Sequence, residues 1–266
     1  MQVKPMRGLK AEVFNHFPYY ASPKIDGLRA LVKDGIVHSK TMKPLPCKKL
    51  HELFGHLHGA DAEIPVGPCS KQHPDDDVFD RSRGPIMQIN GDVDFRIWIF
   101  DRWDTPHLPA IERMKYEFNW QGQCEFSPRI NFVVHEIIKT KEELDDYLKR
   151  CMDQGFEGAM LRALNGRYKY GQSTEKEGYL LKLKPLNTSD ALVIGYEEQY
   201  ANTNEATKDE LGYTKRSSSK AGKVPKGTFG AFIARDVTTG TEFRVGNGPG
   251  LTQAVRDHFW ANRDTL

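Results

Sequence analysis

The chain has 266 residues, with 38 Lys plus Arg against 36 Asp plus Glu and a formal net charge of +2, so no polybasic tail dominates it, although a local basic site is still allowed. Apolar residues make up 38% and aromatics 11%, enough for packed cores, yet no run approaches the roughly 20 apolar residues of a spanning helix. The opening MQVKPMRGLKAE has no apolar h-region, so the expectation is a cytoplasmic globular protein, neither secreted nor in a membrane.

In chain order, the first clear signal is Lys33-Asp34-Gly35 between RALV and IVHS, which predicts a hairpin. HELFGHLHG follows, where Leu50, Leu53, Phe54 and Leu57 give an amphipathic helix. His51, His56 and His58 are expected on its wet face, with no metal. DFRIWIF, residues 94–100, alternates so that Phe95, Ile97 and Ile99 face one side and Arg96, Trp98 and Phe100 the other. Residues 141–154 are expected as a helix opened by a Thr140/Glu143 capping box. Leu144, Leu148, Cys151 and Met152 form its stripe, and Gly155 ends it. GFEGAMLRAL and YLLKLKP read as strands, the second stopped by Pro185. The four cysteines, Cys47, Cys69, Cys124 and Cys151, form no CxxC pair, which points to reduced structural thiols.

After Pro185-Leu186-Asn187 the texture changes. DALVIGY, GTFGAFIARDV and EFRVG read as short strands, with a polar insertion between the first two. From Leu211 to Ala234 no acidic residue occurs, while Lys215, Arg216, Lys220, Lys223 and Lys226 accumulate. A mixed N-terminal domain followed by a small β-barrel is the economical reading.

Four segments carry chemistry. In YYASPKIDGLRALV, Lys24 stands at the end of an apolar strand, where a buried cation is costly unless neutralised or matched by an anion. Desolvation and nearby cations favour the neutral amine, a nucleophile; KxDG alone reads equally as an exposed lysine beside a turn. Lys182 and Lys184, two apart on a strand, share a face opposite Leu181 and Leu183. Together they suit a polyphosphate or, alternatively, a solvated face. Glu157, after a helix terminator, suits a divalent metal held against phosphate. Glu63 in GADAEIPVG suits ribose hydroxyls.

Together these segments resemble the covalent nucleotidyltransferases, specifically the small ATP-dependent DNA ligases of the phage type. Lys24-Ile25-Asp26-Gly27 with Arg29 is similar to that family's nucleophile motif. Asp61-Ala62-Glu63 is similar to its Asp-Gly-Glu strand, with alanine for glycine, and Ile99-Phe100-Asp101 to its adenine-stacking strand. Glu157-Gly158-Ala159-Met160-Leu161-Arg162 resembles the Glu-Gly motif, Lys182-Leu183-Lys184-Pro185 the double-lysine motif, and Asp190–Gly195 the opening strand of the OB-fold domain. The resemblance implies an α+β fold: an adenylation domain of antiparallel sheets and helices over residues 1–186, then a small all-β OB-fold domain over 187–266. Relatives usually add a final basic strand after the barrel helix. None is expected in WANRDTL, which bears on self-adenylation.

By the same resemblance, Lys24 forms a lysyl–AMP adduct from ATP, passes AMP to the 5′-phosphate of a nick, and the 3′-hydroxyl displaces it. Ser22, Pro23 and Ile25 would read adenine, with Trp98 or Phe100 stacking on it. Glu63 would hold the ribose, Arg29 the nucleotide or strand, and Lys182 and Lys184 the transferring phosphate. Glu157 would position Mg²⁺. Ser39-Lys40 replaces the usual Ser-Arg, so Lys40 keeps the charge of that nucleotide contact and loses the bidentate fork. Lys215, Arg216, Lys220, Lys223 and Lys226 would contact DNA phosphates. The implied partner is nicked duplex DNA, bound by a monomer in a phage-infected or bacterial cytoplasm. The alternatives are an RNA ligase or capping guanylyltransferase of the same superfamily, or a non-catalytic nick-binding protein.

Overall fold

A computed structural model describes residues 3–10, 17–73, 76–121, 127–185, 190–208, 214–246, 248 and 250–264. The chain divides into two compact units, Met1–Pro185 and Leu186–Leu266. The first unit runs β1 (Met6–Arg7), β2 (Leu9–Lys10), β3 (Tyr19–Pro23), β4 (Leu28–Lys33), β5 (Ile36–His38), α1 (Lys48–Phe54), β6 (Ala60–Ile64) and α2 (Val78–Ile86). It continues through β7 (Ile97–Arg102), α3 (Ala110–Gln121), β8 (Ile130–Phe132), β9 (Glu136–Ile138), α4 (Lys141–Asp153), β10 (Ala159–Ala163), β11 (Gly171–Gln172) and β12 (Leu180–Leu183). Mixed sheets and helices in this arrangement make an α+β fold.

Two five-stranded sheets form the frame, ordered β2-β12-β10-β3-β9 and β5-β4-β6-β7-β8, with a short parallel β1–β11 pair beside them. Each sheet buries one face under helices. Val32, Val37, Leu50, Phe54, Ala62, Ile64, Ile97 and Ile99 pack around α1 in one core, and Tyr19, Ala21, Leu144, Tyr147, Leu161 and Leu181 around α4 in the other. A third cluster of Met6, Leu31, Trp103, Tyr168 and Leu180 draws on strands of both sheets. The hairpin at 33–35 is present, with Asp34 at φ 50° and Gly35 at φ 81°, the positive values of a turn that matches strand twist.

The predicted 141–154 helix is α4, one residue shorter, and Thr140 accepts the Glu143 N–H at 3.2 Å. Glu143 reaches back to the N–H of Lys139, at 2.7 Å, rather than to its own cap residue. The buried stripe is Leu144, Tyr147 and Cys151, while Met152 is exposed. At about 100° per residue, position 151 falls between 144 and 147 on the wheel, and 152 lies roughly 80° from 144 on the opposite side, off this stripe. His51 also departs from the wet-face reading. Its Nδ1 accepts the Val37 N–H at 3.1 Å and its Nε2 lies 2.9 Å from the Leu45 carbonyl, so it ties α1 to β5. Cys47, Cys69 and Cys151 are free; Cys124 lies outside the described residues.

The second unit is built from β13 (Ala191–Asn202), β14 (Ala206–Lys208), β15 (Thr214–Arg216), β16 (Lys223–Asp236), β17 (Glu242–Gly246) and α5 (Gln253–Ala261). β13, β16 and β17 form an antiparallel sheet. Phe229 and Phe232, 4.4 Å apart, meet Phe259 of α5 at 5.9 and 5.3 Å. Within the basic stretch expected as one loop, β15 pairs with β14, and β16 begins at Lys223, four residues before the predicted strand. The long β13–β16 ladder satisfies the backbone that a loop would leave to solvent. Among the described residues no helix is long and apolar enough to cross a membrane.

Candidate active site

A cavity of about 340 Å³ in the first unit is lined by Ser22, Pro23, Lys24, Ile25, Arg29, Glu63, Phe100, Met160, Arg162 and Lys182 among others. These residues come from five separate stretches, brought together because β3, β10 and β12 are adjacent in one sheet and β4, β6 and β7 in the other.

Lys24 follows directly on β3, and its backbone N–H donates to the Gly158 carbonyl at 2.9 Å. Its ammonium is ion-paired with Glu157, whose other oxygen accepts from Lys184 at 3.2 Å. This close juxtaposition depends on Gly158. At φ 146°, a Cβ there would lie 2.0 Å from the Leu183 carbonyl oxygen. Only glycine lets the strand carrying Glu157 lie so near the strand carrying the lysine pair. Gly27 has the same kind of constraint: a Cβ would meet the Ile64 carbonyl at 2.8 Å, where the turn after Lys24 presses on the end of β6. The two lysines flanking Leu183 part company. Lys182 lines the cavity, whereas Lys184 lies beyond the strand end with its side chain 56% exposed, held to the site through Glu157.

Electrostatics separate the carboxylates. Two cations hold Glu157 below the ordinary carboxylate value in spite of burial. Asp26 is raised, first by burial and then by Glu157. Glu63, beside Arg29 in the β4–β6 register, is raised to about 7 by burial, which outweighs the lowering by Arg29 and Lys24. Glu63 forms no hydrogen bond or ion pair through its carboxylate among the described residues. An unclaimed acceptor in a cavity suits hydroxyl donors of a ligand.

β7 settles how its two aromatics diverge. Asp61 pairs with Asp101 and Ala62 with Ile99, so Phe100 is an extra, bulged residue. A bulge breaks strict alternation and re-aims a side chain. Phe100 lines the Lys24 cavity; Trp98 lines a separate depression of about 230 Å³ with Phe132, Tyr147 and Phe156. The shared face expected from alternation is therefore divided. Arg29 and Arg162 lie over the Phe100 ring at 4.6 and 5.4 Å.

Sequence reasoning passed over the buried network beneath the cavity. Arg29 grips Asp61 with two 2.6 Å hydrogen bonds, and the Tyr168 hydroxyl donates to Asp61 at 2.6 Å. Asp101, held at about 2 by two arginines against the effect of burial, accepts from Arg113 at 2.7 Å and Arg162 at 3.2 Å. His135, next to Arg162, is kept neutral, its pKa lowered to about 3 by burial first and then by that cation. The sequence did contain a signal: Asp101 continues the two-residue spacing of the apolar Ile97 and Ile99, a carboxylate on the face of the strand that is otherwise core. Lys40 is absent from this site: it sits exposed in the turn after β5 and lines no part of the cavity, because the turn closes on Lys43 (Ser39 N–H to Lys43 O, 2.8 Å).

Among the described residues no three histidine, cysteine or carboxylate side chains cluster to hold a metal. The nearest donors, Glu157 and Asp26, repel one another across the Lys24 pair, and oxygen donors of this number suit a magnesium ion shared with substrate phosphates. In the second unit, Arg216 donates to the Asn204 carbonyl, Lys220 and Lys223 border a groove with Tyr196, Tyr200 and Trp260, and Lys226 is exposed. Lys215 pairs with Thr207 through its backbone, and its side chain is outside the described set.

No protein-family profile matches the chain. Among curated proteins it is similar to DNA ligases of African swine fever virus: 26% identical over 125 residues in the Pretoriuskop isolate, 28% over 116 in the Kenyan one. Those matches cover 44% and 42% of this chain, and 30% and 28% of the viral proteins. Among solved structures, Chlorella virus DNA ligase-adenylate superposes with a TM-score of 0.59 at 25% identity, over 98% of this chain and 90% of that one. A Lig E DNA ligase gives 0.69 at 17% identity, over 97% and 88%, and bacteriophage T7 ATP-dependent DNA ligase in complex with ATP gives 0.53 at 15%, over 97% and 84%.

Proposed function

We propose that this chain, which resembles the small ATP-dependent DNA ligases in sequence and fold, is itself an ATP-dependent ligase that seals nicks in duplex DNA. The observation that carries this reading is the convergence of Lys24, Glu157, Glu63, Phe100 and Lys182 on one cavity from distant stretches of sequence. The chain spans about 30% of the length of the curated viral relatives that it matches, so the activity is argued from its own site.

Lys24 is the nucleophile. Its Nζ attacks the α-phosphorus of ATP, the bond to the bridging oxygen of pyrophosphate breaks, and a lysyl–AMP phosphoramidate forms. Attack needs the nitrogen lone pair, so the ion pair with Glu157 opens and the Lys24 ammonium gives one proton to solvent water before the N–P bond is made. Lys182 stabilises the charge that grows on the phosphoryl oxygens, and Glu63 accepts ribose hydroxyls. Phe100, on the cavity wall, offers its ring to adenine, with Ser22, Pro23 and Ile25 at the base edge. AMP then passes to a 5′-phosphate, and the adjoining 3′-hydroxyl displaces it. Glu157 with Asp26 would hold Mg²⁺, which lends charge neutralisation to the phosphates.

The second unit, with its antiparallel sheet and α5, is read as an OB-fold that tracks the DNA backbone through Arg216, Lys220, Lys223 and Lys226. The protein acts inside the cell as a monomer. Intact mass after incubation with ATP or GTP tests the reading. One AMP on Lys24 with ATP alone, followed by sealing of a nicked duplex, is expected; a GMP adduct would point to capping chemistry. No adduct, on protein free of AMP at the start and inactive on pre-adenylated nicks, would refute it.

A further inference from the structure

Five cations line the Lys24 cavity: Arg7, Lys24, Arg29, Arg162 and Lys182. Three are matched by carboxylates, Lys24 by Glu157, Arg29 by Asp61 and Arg162 by Asp101. Among the described residues, Arg7 and Lys182 engage no carboxylate or other hydrogen-bond acceptor through their side chains. Lys182 already has a role in the chemistry above. Arg7 has none.

The backbone at Arg7 is firmly placed. β1 runs parallel to β11 with Met6 opposite Gly171 and Arg7 opposite Gln172, and the Ser173 N–H donates to the Arg7 carbonyl at 2.9 Å. Met6, 1% exposed, anchors the segment in the third core cluster, and its carbonyl accepts from Arg29 Nη2 at 3.0 Å. The Arg7 side chain itself is exposed and reaches the cavity, as does Gln172 from the paired strand. The fold thus holds a free guanidinium and an amide side by side on the cavity wall, next to an arginine whose charge is already spent on Asp61.

A guanidinium without a counter-ion, on the wall of a cavity where Lys24, Arg29 and Arg162 are already paired, marks where an anion from outside belongs, and its fork matches phosphate. We infer that Arg7, with Gln172 beside it, is a phosphate-binding subsite of this cavity. The inference rests on the ligase reading and adds a residue to it. The phosphate has two possible sources in that reaction, the triphosphate of ATP and the terminal 5′-phosphate of the nicked strand.

Arg7→Ala and Arg7→Lys separate them. Because β1 pairs through its backbone and the side chain is exposed, both variants are expected to melt within a degree or two of wild type. One arm measures the ATP concentration for half-maximal adduct formation by intact mass. The other measures binding of the full chain to nicked duplexes that carry a 5′-phosphate or a 5′-hydroxyl. Loss of one charge-assisted contact predicts about a tenfold effect of Arg7→Ala in one arm, largely restored in Arg7→Lys. The arm that moves names the source. If Arg7→Ala stays within twofold of wild type in both, while wild type forms the adduct, the subsite is refuted and the ligase reading stands. If wild type itself takes up no AMP, the ligase reading fails instead.

Discussion

Replacing Glu63 by glutamine tests the electrostatics of the site through its pH dependence. Burial lifts the Glu63 carboxyl from 4.5 to about 7, against the pull of Arg29 and Lys24. A rise of that size corresponds to about 3 kcal/mol between the protonated and ionised forms, and solvent at the cavity reduces the observable part to about 1–3 kcal/mol. The unfolded chain releases this proton near 4.5, whereas the folded protein keeps it until about 7. Unfolding therefore releases a proton in that window, and wild type loses stability as pH rises from 4.5 to 7. The amide in Glu63→Gln cannot titrate, so the wild-type minus variant stability should fall by about 1–3 kcal/mol across the window and level off above it. Urea denaturation at half-unit steps from pH 4.5 to 8 reads this directly. A difference that stays flat, or that rises with pH, would refute the reasoning. Ribose hydroxyls would favour the ionised form, so nucleotide binding should tighten between pH 6 and 8 in wild type and not in the variant.

Gly158→Ala places a Cβ 2.0 Å from the Leu183 carbonyl; destabilisation of about 2–4 kcal/mol and loss of adduct formation are expected. Gly84→Ala, with nothing within 4 Å, is the silent control in the same melts. Asp101→Asn leaves Arg113 and Arg162, 1% and 2% exposed, without their counter-charge, which should cost about 3–5 kcal/mol in denaturant titrations; a loss under about 1 kcal/mol would mean that the buried charges are otherwise satisfied. Lys182→Ala should slow adduct formation, timed by quenched-flow mass spectrometry, about a hundredfold or more, and a normal rate would remove it from the site.

Much of the local structure was legible because it rests on short-range rules. A cap threonine with a glutamate three residues on starts α4, Asp34-Gly35 turns the hairpin, and alternation places Leu181 and Leu183 in a core. The candidate residues were legible for another reason: a lysine at the end of an apolar strand or a carboxylate beside a glycine is conspicuous wherever it occurs. The failures each have a cause. Met152 was assigned from i+4 spacing alone, although at about 100° per residue it already lies off the stripe, and His51 is drawn inward by the Val37 N–H and the Leu45 carbonyl. Lys40 was grouped with the site by its position in a motif, and the turn after β5 carries it to the surface, whereas Lys184, beyond the end of β12, stays tied to the site through Glu157.

The sequence by itself determined the α+β character, the change of texture near residue 186, and the residue types available for phosphate chemistry. Tertiary structure alone decided which of them meet. The pairing of Lys24 with Glu157 needs the β3–β10 register and a glycine at 158. The choice of Phe100 over Trp98 needs a bulge that becomes visible only when β7 is laid against β6. The buried Asp61 and Asp101 networks need partners 12 to 107 residues away. Charge matching in a cavity is a property of the assembled surface, so Arg7, the arginine left unmatched among the described residues that line it, could not be singled out before the chain was folded.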